Sequence, residues 1–293
     1  MIIKCLKIII TVIFVLALLT ALLIFLGIKT GNASEEIEKK LIYRPSKQTF
    51  ELIPEFSDKA EEGSFIFKGN TKSAYIRIKG TKKTPVIVFC HGNNGNMTLP
   101  GNQKKMKFLI KQGYEVFMFD YPGFGKSEGV PDEEKLYASL DAFISHLNDK
   151  YKISMTDTVL WGHSLGSAVV IDTAARQNFK GVITEGAFTS TEEMKKYTIE
   201  NKRTGNPACL FLRDYIYKNI KITQKFDSKS KISRIKSPML IMHGINDNQI
   251  PYAMSMELAG LKPDAITYFS ETGDHNDYDW QEKPVMKFLK KSD

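Results

Sequence analysis

The chain has 293 residues, 42% hydrophobic and 25% charged, with a formal net charge of +8; leaving out the N-terminal segment, about 260 residues remain, enough for one large α/β domain with a buried core. Its three cysteines exclude a disulfide framework, and no zinc-type Cys/His spacing or nucleotide-binding glycine motif is present. The basic residues are scattered in short clusters such as Lys82-Lys83, Lys104-Lys105 and Lys195-Lys196 without interleaved aromatics, which reads as solvated surface, with a patch for a membrane surface as the alternative and no nucleic-acid partner expected.

Residues 1–30 read as a single-pass membrane anchor, because Ile8 to Ile28 is an uncharged apolar run of 21 residues, long enough to cross the hydrocarbon core as a helix. A cleaved secretion signal, with a site around Gly31-Asn32-Ala33, is the alternative. The flanking Lys residues nearly tie, so the expected non-cytoplasmic side for the large domain rests on the tendency of long domains to translocate regardless of flanking charge. Cys5 precedes the run, Cys90 ends an apolar strand and Cys209 falls in a helical pattern. The latter two read as buried thiols.

Residues 31–62 are polar and of mixed charge and read as a linker and lead-in; the large folded domain proper is expected over 63–293. "SFIFKG" and "AYIRIKG" alternate around Asn70-Thr71-Lys72 and predict an antiparallel hairpin. The pattern then changes. "VIVFC" (86–90), "EVFMFD" (115–120), "TVLWG" (158–162), "GVITEG" (181–186), "PMLIMHG" (238–244) and "AITYFS" (265–270) are continuous apolar runs, as expected of parallel strands buried on both faces. Helical patterns over 103–112, 132–149, 165–176, 251–260 and 279–290 separate them. The fold class is therefore α/β, a mostly parallel twisted sheet flanked by helices.

One interval breaks the alternation. Residues 187–236 contain no strand-like run but carry "NPACLFLRDYIYKNI", where Asn206 can cap a helix with Pro207 at its first position. This reads as a helical insertion placed as a lid; a helix packed on the sheet edge is the alternative.

"DTVLWGHSLGSAVVIDTAA" (157–175) holds a Gly-x-Ser-x-Gly, a pattern that chance alone supplies in roughly one chain of this length in ten. Its context is what matters. A strand, a tight turn and a helix-compatible run surround Ser164, the arrangement of a nucleophile elbow. The turn exposes the serine oxygen above the sheet, and the following helix aims its amides and positive dipole end at a reacting carbonyl. Partners are expected in the order Ser, acid, His. Of His91, His146, His163, His243 and His275, only the last two follow Ser164 near a strand end, and His275 in "ETGDHNDYDW" is the expected base. Asp247 in "LIMHGINDNQIP" is the expected acid, with Asp274 and Asp277 as rivals by proximity to His275. His163 is expected to pack into the core and His91 to shape a turn. The loop His91-Gly92-Asn93-Asn94-Gly95 and the amide of Leu165 can supply oxyanion donors.

At these residues the chain resembles the α/β-hydrolase superfamily, over about residues 64–290. The resemblance rests on "HGNNG" (91–95), "DYPGFGKSEG" (120–129), "GHSLG" (162–166), "HGINDNQIP" (243–251) and "GDHND" (273–277). With the N-terminal apolar segment it looks like the membrane-anchored α/β-hydrolase-domain serine hydrolases, a group of esterases, acylglycerol lipases and acyl-protein thioesterases. The resemblance implies Ser164 as nucleophile, Asp247 as acid, His275 as base and oxyanion amides from Asn93 and Leu165. It implies hydrolysis of an ester or thioester, of a lipid-like small molecule or an acylated protein, through an acyl-enzyme with no cofactor or metal. An acyltransferase using the same triad, and a non-catalytic membrane-anchored binding protein on this fold, are the competing expectations.

Overall fold

The computed structural model describes residues 34–82, 84–201 and 207–292. The expected membrane segment at 8–28 and the capping Asn206 lie outside the described residues. Among the described residues no helix is long and apolar enough to cross a membrane.

The described residues fall into two compact units: those of 43–194 with 225–292, and those of 34–42 with 195–224. The larger unit is built on eight strands: β1 (Ala60–Phe67), β2 (Thr71–Ile78), β3 (Val86–Cys90), β4 (Glu115–Phe119), β5 (Thr158–His163), β6 (Gly181–Glu185), β7 (Met239–Gly244) and β8 (Ile266–Ser270). They lie in the order β8-β7-β6-β5-β3-β4-β2-β1. The predicted hairpin is present, with Ala60 opposite Ile78 and Phe67 opposite Thr71, and β2 also runs antiparallel to β4. Every other neighbouring pair is parallel.

The continuous apolar runs have the physical reason expected of them. Every residue of β3, β5, β6 and β7 is buried, since helices cover both faces of a parallel sheet. The covering helices include α2 (Pro100–Lys111), α3 (Glu133–Tyr151), α4 (Leu165–Ala174), α7 (Tyr252–Gly260) and α8 (Glu282–Ser292). Helix α3 starts where Asp132 accepts the Lys135 amide at 2.9 Å and stops at Lys152 in the left-handed conformation. Helix α4 lies behind the centre of the sheet and is buried along its whole length. One core cluster on the sheet gathers Ile87, Phe89, Met106, Leu109, Trp161, Ile183, Leu240 and Val285.

The second unit contains α1 (Ser34–Ile42), which the sequence placed in a linker, and α6 (Pro207–Asn219) from the predicted insertion; α5 (Thr191–Asn201) begins in the first unit and ends in the second. What turns residues 34–42 from linker to structure is a carboxylate. Glu38 is 1% exposed, and its oxygens accept the amides of Thr223 at 2.8 Å and of Gln224 at 2.8 Å, and the Thr223 hydroxyl. Ser34 Oγ takes the Lys221 amide at 3.0 Å. Residues 220–224 run without regular structure of their own, so these side chains stand in for a strand partner.

Glu38→Ala leaves the amides of Thr223 and Gln224 without their acceptors. Each charge-assisted bond is worth about 1.5–3 kcal/mol, so limited proteolysis within 195–224 should quicken on the order of tenfold over wild type. An unchanged cleavage rate would show that the carboxylate does not hold this segment.

Candidate active site

The site is assembled at the C-terminal ends of β3, β5, β6, β7 and β8, where parallel sheets place their ligands. Ser164 follows β5 with φ 55° and ψ −119°, a region that L-residues rarely occupy and that stores strain. Backbone bonds on both sides hold it there. The Ser164 amide donates to the Glu185 carbonyl at 2.8 Å, and its own carbonyl accepts the Ser167 amide at 2.9 Å. The flanking glycines are required by close approach. A Cβ on Gly162 would lie 2.3 Å from the Gly166 carbonyl oxygen, and one on Gly166 2.0 Å from that of Cys90. Ser167, beneath the elbow, hydrogen-bonds the Gly162 carbonyl at 2.8 Å and the Glu185 carbonyl at 3.0 Å.

The structure brings the three residues expected to form a triad into one line. His275, in the loop after β8, has Nδ1 2.6 Å from Asp247 Oδ2 and Nε2 3.1 Å from Ser164 Oγ. With Nδ1 donating to the carboxylate, Nε2 of the neutral ring presents its lone pair to the serine hydroxyl. All three side chains are buried. Asp247, in the turn after β7, accepts the amides of Gln249 and Ile250 on Oδ1, each at 2.8 Å, and His243 Nε2 on Oδ2 at 3.0 Å. Burial alone pushes its carboxyl up, but the hydrogen bonds from His243 and His275, the electrostatic pull of His275 and the Ile250 amide outweigh it and hold Asp247 well below the usual carboxylate range. It stays ionised.

The rival acids are engaged elsewhere. Asp277 accepts the Asp274 amide at 2.9 Å, and Asp274 caps the amide of Asn276 at 2.8 Å. For the expected oxyanion donors, Leu165 opens α4 directly after the elbow, and the loop carrying Asn93 runs beside it. A Cβ built on Gly92 would stand 3.4 Å from Ser164 Cβ. The Asn93 carbonyl accepts the Arg44 amide at 2.8 Å, which ties this loop down. His91 shapes this turn as expected: its Nδ1 lies 2.7 Å from the Gly92 carbonyl, and its own carbonyl accepts the Tyr121 hydroxyl at 2.9 Å. Cys90 is a buried free thiol, its pKa driven far up by burial, which makes it inert as a nucleophile. Among the described residues no group of His, Cys, Asp and Glu could hold a metal ion.

Two features differ from the sequence reading. His163 does more than pack: its Nε2 donates to the His275 carbonyl at 2.9 Å, with the two rings 5.0 Å apart. Burial first, then the charges of Lys105 and His275, hold its pKa well below the ordinary value. Lys105, read from the sequence as solvated surface, is 2% exposed. Its ammonium pairs with Glu185 and lies 3.2 Å from the Asp277 carbonyl. Glu185 also accepts Trp161 Nε1 at 3.1 Å and Gln281 Nε2 at 2.8 Å, and Gln281 reaches the same Asp277 carbonyl at 2.6 Å. A buried ion pair thus underpins the loop that carries His275. Nothing in "NQKKMKF" announced it; a glutamate ending the apolar run "GVITEG" was the available signal.

Sheet order, elbow and hydrogen-bonded Asp-His-Ser line together define an α/β hydrolase. The family model described as serine aminopeptidase, S33 (Hydrolase_4) matches residues 81–233, more than half of the chain, and the chain belongs to that family. Alpha/beta hydrolase domain-containing protein 17C of Xenopus laevis is 25% identical over 250 residues, covering 83% of this chain and 71% of the relative. Lysophosphatidylserine lipase ABHD12 of Danio rerio is 32% identical over 184 residues, covering 60% of this chain; the match spans 47% of the lipase, about half its length. Among solved structures, the esterase Pf2001 of Pyrococcus furiosus superposes with a TM-score of 0.73 at 16% identity, covering 85% of this chain and 98% of the esterase; at that identity the likeness is one of fold.

Removing Lys105 alone leaves Glu185 charged and unpaired in the interior. Lys105→Met should destabilise the protein by about 3–5 kcal/mol, read from the denaturant midpoint, and the double variant Lys105→Met/Glu185→Gln should regain much of that. A single variant as stable as wild type would mean that the pair is not buried in solution.

The depressed pKa of His163 makes stability depend on pH. The unfolded chain takes up a proton near pH 6.5 that the native ring refuses, so this contribution is complete above that pH and declines below it, by at most about 1.4 kcal/mol per pH unit. Denaturation midpoints measured between about pH 7 and 5 should fall more steeply for wild type than for His163→Gln. Parallel curves would contradict the assignment.

Proposed function

We propose that the protein is a serine hydrolase that cleaves carboxylic ester or thioester bonds of acyl-chain substrates. The observation that carries this reading is the continuous hydrogen-bonded line from Asp247 through His275 to the Ser164 hydroxyl, on a strained elbow at the end of β5. In the first step the Ser164 oxygen attacks the acyl carbonyl while His275 Nε2 takes the hydroxyl proton. Asp247, ionised, stabilises the imidazolium that forms. The amides of Asn93 and Leu165 receive the developing oxyanion, a contribution of about 10²–10³ in rate for each such donor. The tetrahedral species collapses as His275 protonates the leaving alcohol or thiol. Water, deprotonated by the same nitrogen, then releases the acid and restores the serine.

The acyl-chain assignment draws support from the lysophosphatidylserine lipase among the relatives and from the N-terminal apolar run, which would hold residues 63–293 at a membrane as their anchor, on its non-cytoplasmic face, with the insertion at 187–236 governing access.

The test is labelling of the full-length chain in detergent by a fluorophosphonate probe, beside Ser164→Ala, with hydrolysis of acyl esters and thioesters of graded chain length. Labelling should vanish in the variant and hydrolysis fall by about 10⁴-fold or more. Acyl product on an added alcohol instead of free acid would reassign the protein as an acyltransferase. A folded wild type that neither labels nor hydrolyses would leave the binding-protein reading.

A further inference from the structure

His243 is completely buried at the end of β7, and the reaction proposed above makes no use of it. Both nitrogens of its ring are nevertheless held. Nε2 lies 3.0 Å from Asp247 Oδ2 and 3.0 Å from the Ile250 carbonyl oxygen. Both neighbours accept only, so Nε2 carries a proton and donates. Nδ1 is 2.6 Å from Ser255 Oγ on α7, a hydroxyl that also lies 3.1 Å from the Ala187 carbonyl at the end of β6. A ring held at one end by the turn after β7 and at the other by α7 cannot swing aside.

The bland alternative is that His243 satisfies buried polar groups in the turn after β7 and nothing more. The division of labour on Asp247 argues otherwise. The turn itself is served by Oδ1, which takes the amides of Gln249 and Ile250. His243 instead reaches Oδ2, the oxygen that receives His275 Nδ1 at 2.6 Å. Without a donor on its far side that oxygen could rotate out of the His275 ring plane; with one, it has a single favourable setting. Second partners of this kind orient a histidine–carboxylate pair wherever the ring must present a fixed nitrogen.

We infer that His243 is a positioning residue of the active site, which aims Asp247 Oδ2 at His275 Nδ1 and so keeps His275 Nε2 on the Ser164 hydroxyl. Ser255 acts one step further out by fixing the His243 ring. The inference rests on the proposed hydrolysis only in taking His275 as its base; the geometric part can be read without turnover.

The experiment uses the full-length chain as wild type, His243→Leu, His243→Gln and Ser255→Ala. Two quantities are measured: kcat and KM on a p-nitrophenyl acyl ester, and the low-field proton resonance of the His275 Nδ1–H bond to Asp247. His243→Leu should lower kcat by about 10- to 100-fold, the equivalent of one charge-assisted hydrogen bond, with KM unchanged and the resonance lost or displaced. His243→Gln, whose amide N–H can reach the same oxygen, should recover most of both. Ser255→Ala removes one hydroxyl, and should lower kcat several-fold and broaden the resonance; it decides the matter if His243→Leu does not fold. Wild-type kcat and an unmoved resonance in His243→Leu, or in Ser255→Ala in its place, would overturn the inference. A wild type that hydrolyses nothing, but whose resonance still depends on His243, would defeat the hydrolase reading and leave the positioning role standing.

Discussion

Glu185, at the C-terminal end of β6, is the constraint on which the site depends. Its carbonyl accepts the amide of Ser164 and so holds the elbow in its strained conformation. Its carboxylate pairs with Lys105 and bonds Trp161 and Gln281, and Lys105 and Gln281 both reach the Asp277 carbonyl in the loop that carries His275. One residue therefore fixes the serine through its backbone and the histidine's loop through its side chain. The distance between Ser164 and His275 is set by a rigid strand end and not by two independent loops, which is how a scaffold keeps reacting groups within a few tenths of an ångström of their working positions.

Such an arrangement needs each buried charge to have a partner. The interior around the site holds Lys105, Glu185, Asp247 and the rings of His91, His163, His243 and His275, and in a medium of low polarisability an unpaired charge would be strongly unfavourable. Asp247 shows how this is met: four donors surround its two oxygens, and together they overcome the desolvation that would otherwise protonate it. The same density of bonds that keeps the acid charged also leaves it one orientation. Electrostatics and positioning are here the same set of contacts.

Helix α1 and the described residues of 195–224 form a compact unit of their own, tied by Glu38 and Ser34. These polar side chains close hydrogen bonds that an irregular segment cannot close by itself. A mixed-charge stretch such as "SEEIEKKLI" is indistinguishable in sequence from a solvated lead-in, because whether a glutamate is exposed or buried depends on what meets it.

Strand positions, the hairpin, the elbow at Ser164 and the placing of Asp247, and not Asp274 or Asp277, against the His275 ring were all legible in the sequence, because each leaves a local signature: an unbroken apolar run, an alternation, glycines around a serine, an acid just past a strand. Each is set by interactions within a dozen residues. Lys105 was misread, and the bonds of His163 and His243 were not foreseen, because a lysine in a helical run or a histidine at a strand end looks alike whether it faces water, core or a neighbouring carboxylate. The sequence by itself determined the sheet and the order of Ser164, Asp247 and His275 along it, since backbone burial and turn geometry are written in neighbouring residues. Only the tertiary structure decided which buried charges and rings hold those residues in place, since those partners lie 80 residues apart for Lys105 and Glu185 and 112 apart for His163 and His275, and only the closed sheet brings them together.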